Sequence, residues 1–382
     1  DYILGQVFDR SIAELDTGIV DICRLGVHQL FEMRVATHAA VSATVELARK
    51  AIGESKASYV NAILRKVSAQ ELNHWLAPAK EIADDISRLS IIHSHPEWIV
   101  SAYFDLLKDI GKVEAELIAN NTPAQPTLVS WPGLSTQEDL IALGGVATPF
   151  SPYGAKVDSP PASIELIRHR QAGVQDEGSQ LVAHIFSLAA HGSERILDLC
   201  AGPGGKAALL SSIARESGRT FVANEVSEAR ASLVKKVVKG APVWVGDGRK
   251  VAEHGESFDA VLVDAPCTGL GALRRRPEVR WRRTLQDLRE LTELQSELAE
   301  GALSVLNPGG IFGYATCSPH YAETSAQVKA ILKKHPELEQ VDVTSYLPEN
   351  LHGATRDGAL SLWASVHNTD SMYLALFRKR MD

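Results

Sequence analysis

From about residue 173 onward the chain repeats one unit: an apolar run, a short loop rich in small or acidic residues, then an amphipathic helix. "ERILDLC" leads through "AGPGG" into "KAALLSSIARES", and "RTFVANEV" leads into "SEARASLVKKVV". "APVWVGDG" is a third strand. "FDAVLVDAP" is a fourth, ahead of a long helix over about 285–306, and "GGIFGYATCS" is a fifth, ahead of "AETSAQVKAILKKH". Strands that are apolar throughout need cover on both faces. Alternation with helices therefore predicts an α/β fold with a mainly parallel sheet and right-handed crossovers. The last stretch, "LSLWASVHNTDSMYLALFRK", predicts a closing antiparallel pair.

The segment before this is different. Between residues 19 and 76 apolar residues recur at three- and four-residue spacing, as in "IVDICRLGVHQLFEM" and "SYVNAILRKVSAQELNHWL", which predicts an all-α bundle. Residues 77–170 are less regular and hold a cluster of prolines. Helices are expected near 97–108 and 112–120, with a strand at "PTLVSWPG". With 382 residues the chain exceeds one ordinary core. The expected division is a helical domain over 1–85, an α+β connector over 86–170 and the α/β domain over 171–382.

No apolar run is long enough for a membrane span and no signal peptide is visible. The four cysteines, Cys23, Cys200, Cys267 and Cys317, lie far apart without zinc-like pairing. That fits a reducing cytoplasm and argues against a disulfide scaffold. Cys23, on an apolar helix face, is expected to be a packed hydrophobe, and Cys200 to line a ligand loop. The formal net charge of −8 excludes nucleic-acid binding by global charge, so any such role needs a local basic patch.

In open α/β sheets ligands sit at the carboxyl ends of strands. "DLCAGPGGK", Asp198 to Lys206, ends the first strand. It fails as a Walker A loop: Cys200 stands where the first glycine is needed and Ala207 follows the lysine. Gly202 and Gly204 fit the start of a dinucleotide fingerprint, but Ala207 stands at its third glycine. The other reading is a loop that lets backbone approach the amino-acid tail of S-adenosylmethionine. Glu225 ends the second strand, where a carboxylate binds ribose hydroxyls. Asp247 ends the third, where a side chain meets adenine. Both NAD and S-adenosylmethionine suit these positions.

"DAPC" and "TCS" end the fourth and fifth strands, which in such sheets are usually neighbours, roughly 5 Å apart. Cys267 and Cys317 would then face one crevice. Two thiols beside a methyl-donor site fit methylation at C5 of cytosine. That carbon becomes nucleophilic only after a thiolate adds to C6, and the product must lose the C5 proton and expel the thiolate. Asp264 is suited to the N3/N4 edge, where it can accept from the exocyclic amine. Spacing alone does not say which cysteine attacks.

"LDLCAGPGGK", "VDAPCTGLGALRRRPEVRW" and "YATCSPHYAET" resemble the motifs of the bacterial Sun/Fmu family of RNA cytosine-5 methyltransferases. "YVNAILRKVS" resembles the NusB-like helical domain fused to the members that modify 16S ribosomal RNA. The resemblance covers nearly the whole chain. It implies a Rossmann-like S-adenosylmethionine-dependent methyltransferase domain behind an RNA-binding NusB-like domain, which is expected to lack a helix or two at its start. It implies that Cys317 is the nucleophile, that Cys267 aids product release and that Asp264 and Lys206 complete the catalytic group. Cys200, Ala201, Gly202, Pro203, Gly204, Gly205, Lys206, Glu225, Asp247 and Asp264 are the implied cofactor contacts, with no metal. The implied substrate is 16S rRNA, with transfer RNA as the alternative enzyme reading. A noncatalytic RNA-binding factor is a third reading, which the two retained cysteines oppose.

Directly after "DAPC" come Arg274, Arg275, Arg276, Arg280, Arg282 and Arg283, with Trp281 among them. A target base must leave its stack to reach a thiol. The flanking phosphates need cations and a flipped base can stack on an aromatic, so these residues are expected to bind RNA.

Overall fold

The computed structural model describes residues 1–381. The chain forms two compact units, which divide between Glu97 and Trp98. No helix among the described residues is long and apolar enough to cross a membrane.

The first unit is a helical bundle of α1 (Thr17–Phe31), α2 (Thr37–Ile52), α3 (Glu54–Ser68), α4 (Leu72–Lys80) and α5 (Asp85–Ile92). Asp16 starts α1 by accepting from the N–H groups of Gly18 and Ile19 at 3.0 and 3.3 Å, which satisfies two of the donors that a helix start leaves free. The apolar stripe of α1 (Ile19, Ile22, Cys23) packs with that of α3 (Val60, Ile63, Leu64, Val67) in one core. Cys23 is fully buried, and desolvation pushes its thiol up to about 12, which makes it an inert packing residue as expected.

The second unit opens with α6 (Glu97–Leu107), whose first residue closes the bundle unit, and α7 (Ile110–Asn121). A small antiparallel sheet follows, made of β1 (Thr127–Ser130), β2 (Val146–Ala147), β3 (Gly154–Lys156) and β4 (Ala172–Val174) in the order β2-β3-β1-β4. The strand expected at "PTLVSWPG" is β1. Residues 98–170 thus belong to the same compact unit as the large sheet.

That sheet has five parallel strands. β5 (Arg195–Asp198), β6 (Thr220–Glu225), β7 (Val243–Val245), β8 (Phe258–Asp264) and β9 (Leu306–Thr316) lie in the order β7-β6-β5-β8-β9. Beyond β9 the sheet continues antiparallel through β13 (Tyr373–Lys379), β12 (Ala359–Ser361) and β11 (Thr355–Arg356), the closing pair plus a short addition. A further strand, β10 (Leu338–Val341), also pairs with β13 and was not visible in the sequence pattern.

Helices cover both faces, which is why the strands are apolar throughout. Along β8, Ala260 and Leu262 meet the core under α8 (Glu177–Ala189) and α9 (Gly205–Glu216). Val261 and Val263 meet the core under α11 (Leu285–Ser304) and α12 (Ser325–Lys334). The helix after β6, α10 (Glu228–Lys235), packs its Val234 into the first of these cores. The β8–β9 register sets Asp264 opposite Ala315, so the loops that follow the two strands start side by side.

Candidate active site

The loop after β5 reverses into α9 through Gly204, whose φ of +118° favours a residue without a side chain. The neighbouring Gly202 N–H donates to Glu225 Oε2 at 2.9 Å, and Ser227 N–H donates to Glu225 Oε1 at 3.0 Å. The buried end of β6 therefore fixes the glycine loop. Asn224 adds to this: its Nδ2 donates to Leu199 O at 3.0 Å and to Gly246 O at 3.1 Å, tying three successive strand ends together. Arg230 donates to Gly202 O and lies 3.7 Å from Glu225 Oε2. Asp247 accepts from the Arg249 N–H at 3.0 Å and from its guanidinium at 2.6 Å, and that pairing holds its carboxyl below the usual range.

These strand ends enclose a cleft of about 470 Å³ that is lined by Cys200, Gly202, Pro203, Glu225, Asp247, Asp264, Cys267 and Cys317, among others. Of the expected cofactor contacts, Ala201, Gly204, Gly205 and Lys206 do not line it. They form the turn and the helix start that shape it. The fit to S-adenosylmethionine is good on the groups present. A glycine turn leaves backbone open to an amino-acid tail, a carboxylate ends β6, and Val226 beside it lines the cleft while 67% exposed. An exposed β-branched side chain at that place offers an apolar face to a purine. Val226, Asn224, Arg230 and Arg249 were missed in the sequence. The one usable signal was the apolar residue directly after the strand-ending Glu225.

At the other end of the cleft the two strand-end thiols meet, with Cys267 Sγ 3.2 Å from Cys317 Sγ. Lys206, from the first turn of α9, reaches Asp264 Oδ2 at 2.8 Å. Its side chain is only 9% exposed. Burial opposes charge on this lysine, yet attraction to Asp264 wins and holds the ammonium protonated, above the ordinary value. Cys317 is pulled below the ordinary thiol range, first by its hydrogen bond with Cys267 and also by Lys206. Cys267 is pushed well above it, by the partner thiol, by burial and by nearby carboxylates. Burial likewise pushes up Cys200. Asp198, fully buried at the end of β5, is raised to about 7 by desolvation and then by the charge of Asp264. Its Oδ1 accepts from Cys200 N–H, while Oδ2 has no hydrogen-bond partner among the described residues.

The arginine run does not act as one surface, and the expectation of six RNA-facing guanidiniums narrows. Arg274 is buried, with 7% side-chain exposure, and bridges Asp176 at 2.8 Å and Asp370 at 3.3 Å. Arg275 is half-committed to Asp370 as well. Arg280 is 4% exposed and donates to Asn121 Oδ1 at 2.7 Å and Asn120 O at 3.3 Å, against α7. These three anchor the loop to its own domain. Arg276 and Arg282 are exposed, Trp281 is 62% exposed, and Arg276 and Arg283 line the cleft. The loop therefore keeps three guanidiniums and one aromatic on the open side.

Comparison with known proteins agrees with this architecture. The model of the 16S rRNA methyltransferase RsmB/F family matches residues 185–378, and that of the NusB family matches residues 1–69. Rv1407 of Mycobacterium tuberculosis, named as a methyltransferase, is 40% identical over 389 residues, covering 99% of this chain and 84% of that protein. The ribosomal RNA small subunit methyltransferase B of Vibrio vulnificus is 30% identical over 358 residues, covering 89% of this chain and 80% of that protein. Among solved structures, PH0851 superposes with a TM-score of 0.81 at 24% identity, covering 99% of this chain and 86% of that one. NSun6 from Pyrococcus horikoshii does so with a TM-score of 0.64 at 17% identity, covering 75% and 99%. Both show the same fold. The chain belongs to the 16S rRNA methyltransferase RsmB/F family, with S-adenosylmethionine as its methyl donor and a NusB-family domain at its N-terminal end.

Proposed function

We propose that this enzyme forms 5-methylcytosine in 16S ribosomal RNA through a covalent bond between Cys317 Sγ and C6 of a cytosine turned out of its stack. The observation that carries this reading is the thiol pair, 3.2 Å apart, beside the Lys206–Asp264 pair at the end of the cofactor cleft. Cys317 is the sulfur biased toward the thiolate. Its lone pair forms the C6–S bond, and the C5=C6 electrons move to C5. Asp264 faces the N3/N4 edge, accepting from the exocyclic amine that uracil lacks, with Lys206 holding the carboxylate in place. Bound in the cleft, S-adenosylmethionine supplies an electrophilic methyl group for C5. The adduct then holds both the methyl group and the original proton at C5. A base takes that proton, its bonding electrons rebuild C5=C6, and the C6–S bond breaks to return Cys317 as thiolate. Cys267 S–H, within hydrogen-bond reach, stabilises that leaving sulfur. Glu225, Asp247, Val226 and the loop 200–205 would hold the cofactor. The NusB-family unit supplies RNA affinity, and a ribosomal substrate places the reaction in the cytoplasm.

Denaturing gels of two variants with 16S rRNA and methyl donor test this. Cys317→Ala is expected to give no methylation and no protein–RNA adduct. Cys267→Ala is expected to stall as an adduct that survives denaturation. An adduct with Cys317→Ala would reverse the two roles, and activity in both variants would reduce the thiols to packing. Transfer RNA in place of 16S rRNA serves as the substrate control.

A further inference from the structure

Beside the two thiols lies a carboxylate that the reaction above leaves without a task. Glu323, in the turn after Cys317, is fully buried. Its Oε1 accepts from the Thr268 N–H at 2.8 Å and from Gln295 Nε2 at 3.1 Å, and its Oε2 accepts from the Thr268 hydroxyl. Thr268 directly follows Cys267, so the loop of one thiol grips the loop of the other. Neutral groups extend the grip. Thr268 Oγ1 lies 3.1 Å from Ser318 Oγ, Gln295 Nε2 also donates to Pro266 O at 2.9 Å, and Tyr314 O–H donates to Gln295 Oε1 at 3.0 Å. Each hydrogen-bond donor to the carboxylate is itself uncharged. A buried charge held only by neutral donors is costly, and a glutamine could make the same contact with the Thr268 amide at lower cost. Holding the loop therefore does not account for the charge.

We propose that Glu323 is a positioning residue that divides the work of the two thiols: its negative charge keeps Cys267 as S–H, the donor, so that Cys317 is the sulfur that becomes anionic. This rests on the reading of Cys317 as the nucleophile. The groups around the pair fit the division. Lys206 acts on Cys317 and favours its thiolate. Glu323 acts on Cys267 and opposes its ionisation, after the partner thiol and burial. The other charged groups that bear on the pair are Asp264, which disfavours both thiolates, and Asp370 and Arg275, which bear on Cys317. Tyr314 and His320 are the further titratable groups that feel Glu323. A thiol kept as donor serves twice: it stabilises the attacking thiolate, and it stabilises the same sulfur when the C6–S bond breaks.

The test is site-resolved alkylation of the full chain by iodoacetamide across pH, without RNA, with each cysteine followed by peptide mass spectrometry. In the unaltered chain Cys317 is expected to react at lower pH than Cys267. The reverse order overturns the proposal whether or not any variant folds. In Glu323→Gln the labelling of Cys267 should move to lower pH, at least about tenfold faster at a given pH, the equivalent of one pKa unit. Glu323→Asp, which restores the charge, should move it back. Gln295→Met removes a neutral tie and keeps the charge, so its profile should overlay the unaltered one. Equal shifts in Gln295→Met and Glu323→Gln would make packing the cause and overturn the proposal. Overlaid profiles for Glu323→Gln and the unaltered chain overturn it too. The adduct of Cys267→Ala separates the two levels. If it forms while the Glu323→Gln profile stays put, only the role of Glu323 fails; if it does not form, the covalent reading fails.

Discussion

Lys206 Nζ and Asp264 Oδ2 are 2.8 Å apart, one from the first turn of α9 and the other from the end of β8, and both lie at the carboxyl end of the parallel strands. The pair couples the two halves of the site. The glycine turn that shapes the cleft delivers Lys206, and the loop that carries Cys267 begins at Asp264. Breaking a buried pair from one side leaves an uncompensated charge, which costs far more than the pair contributes. Lys206→Met is therefore expected to lower stability and also to raise the pH at which Cys317 ionises, because the cation that favours its thiolate is gone. Asp264→Asn keeps the shape but cannot hold the base edge as a carboxylate. Its single-turnover methylation rate should fall by roughly 10- to 150-fold, the equivalent of a lost hydrogen bond to a charged group. Rates within threefold of the unaltered enzyme for Asp264→Asn would remove Asp264 from the chemistry.

Glu225 is expected to govern cofactor affinity. It fixes Gly202 N–H and Ser227 N–H and lines the cleft at the same time. Glu225→Ala removes both the loop anchor and the acceptor at the end of β6. Loss of hydrogen bonds to a charged group costs on the order of 1.5–3 kcal/mol, so calorimetry should show roughly 10- to 150-fold weaker binding of S-adenosylmethionine. Unchanged affinity would sink this assignment.

The arginine loop separates into buried anchors and outward-facing cations, two of which, Arg276 and Arg283, pair loosely with Glu278 and Asp287, and the two classes should fail differently. Arg274→Ala takes the guanidinium from the buried carboxylate of Asp176 and leaves that of Asp370 to Arg275, with an expected cost of about 3–5 kcal/mol and a matching fall in melting temperature. Arg282→Ala touches an exposed side chain and should leave the melt unchanged. Its effect should appear in RNA binding, as a log–log salt slope lower by about 0.7 for one lost contact with a single strand. The opposite pattern, a destabilised Arg282 variant or an Arg274 variant defective only in RNA binding, would contradict the division.

This division marks where the sequence stops being informative. The meeting of Cys267 and Cys317 was legible, because two consecutive strands of one parallel sheet place their end loops side by side, and the β8–β9 register needs no more than that. The positions of Glu225 and Asp247 follow from the same rule. Arg274 and Arg282 could not be told apart, since an irregular loop has no period to say which side chain turns inward, and the partners of Arg274, Asp176 and Asp370, lie 98 and 96 residues away from it. Glu323 was hidden for a similar reason. In "YAET" it reads as one more surface acid, and only the folded chain shows it buried against Thr268 and Gln295.

Asp198 gives the molecule a pH signature of its own. Burial raises its carboxyl from the ordinary 3.8 to about 7 in the folded state, with Asp264 adding to the shift. A carboxyl that binds its proton more tightly when folded stabilises the fold fully below the unfolded value. That contribution is lost as pH rises from about 4 through about 7, because the unfolded chain releases the proton first. The accumulated penalty is on the order of 4 kcal/mol by pH 8. Asp198→Asn carries no such charge and can still accept from the Cys200 N–H through its Oδ1, as the native residue does at 3.3 Å. Its melting temperature relative to the unaltered chain should therefore rise steadily between pH 4 and pH 7 and level off above that. Melts at a series of pH values in one ionic strength make the comparison. A difference that stays flat across that window, or grows toward acid, would show that Asp198 is ionised throughout and that Lys206 is shared between two carboxylates.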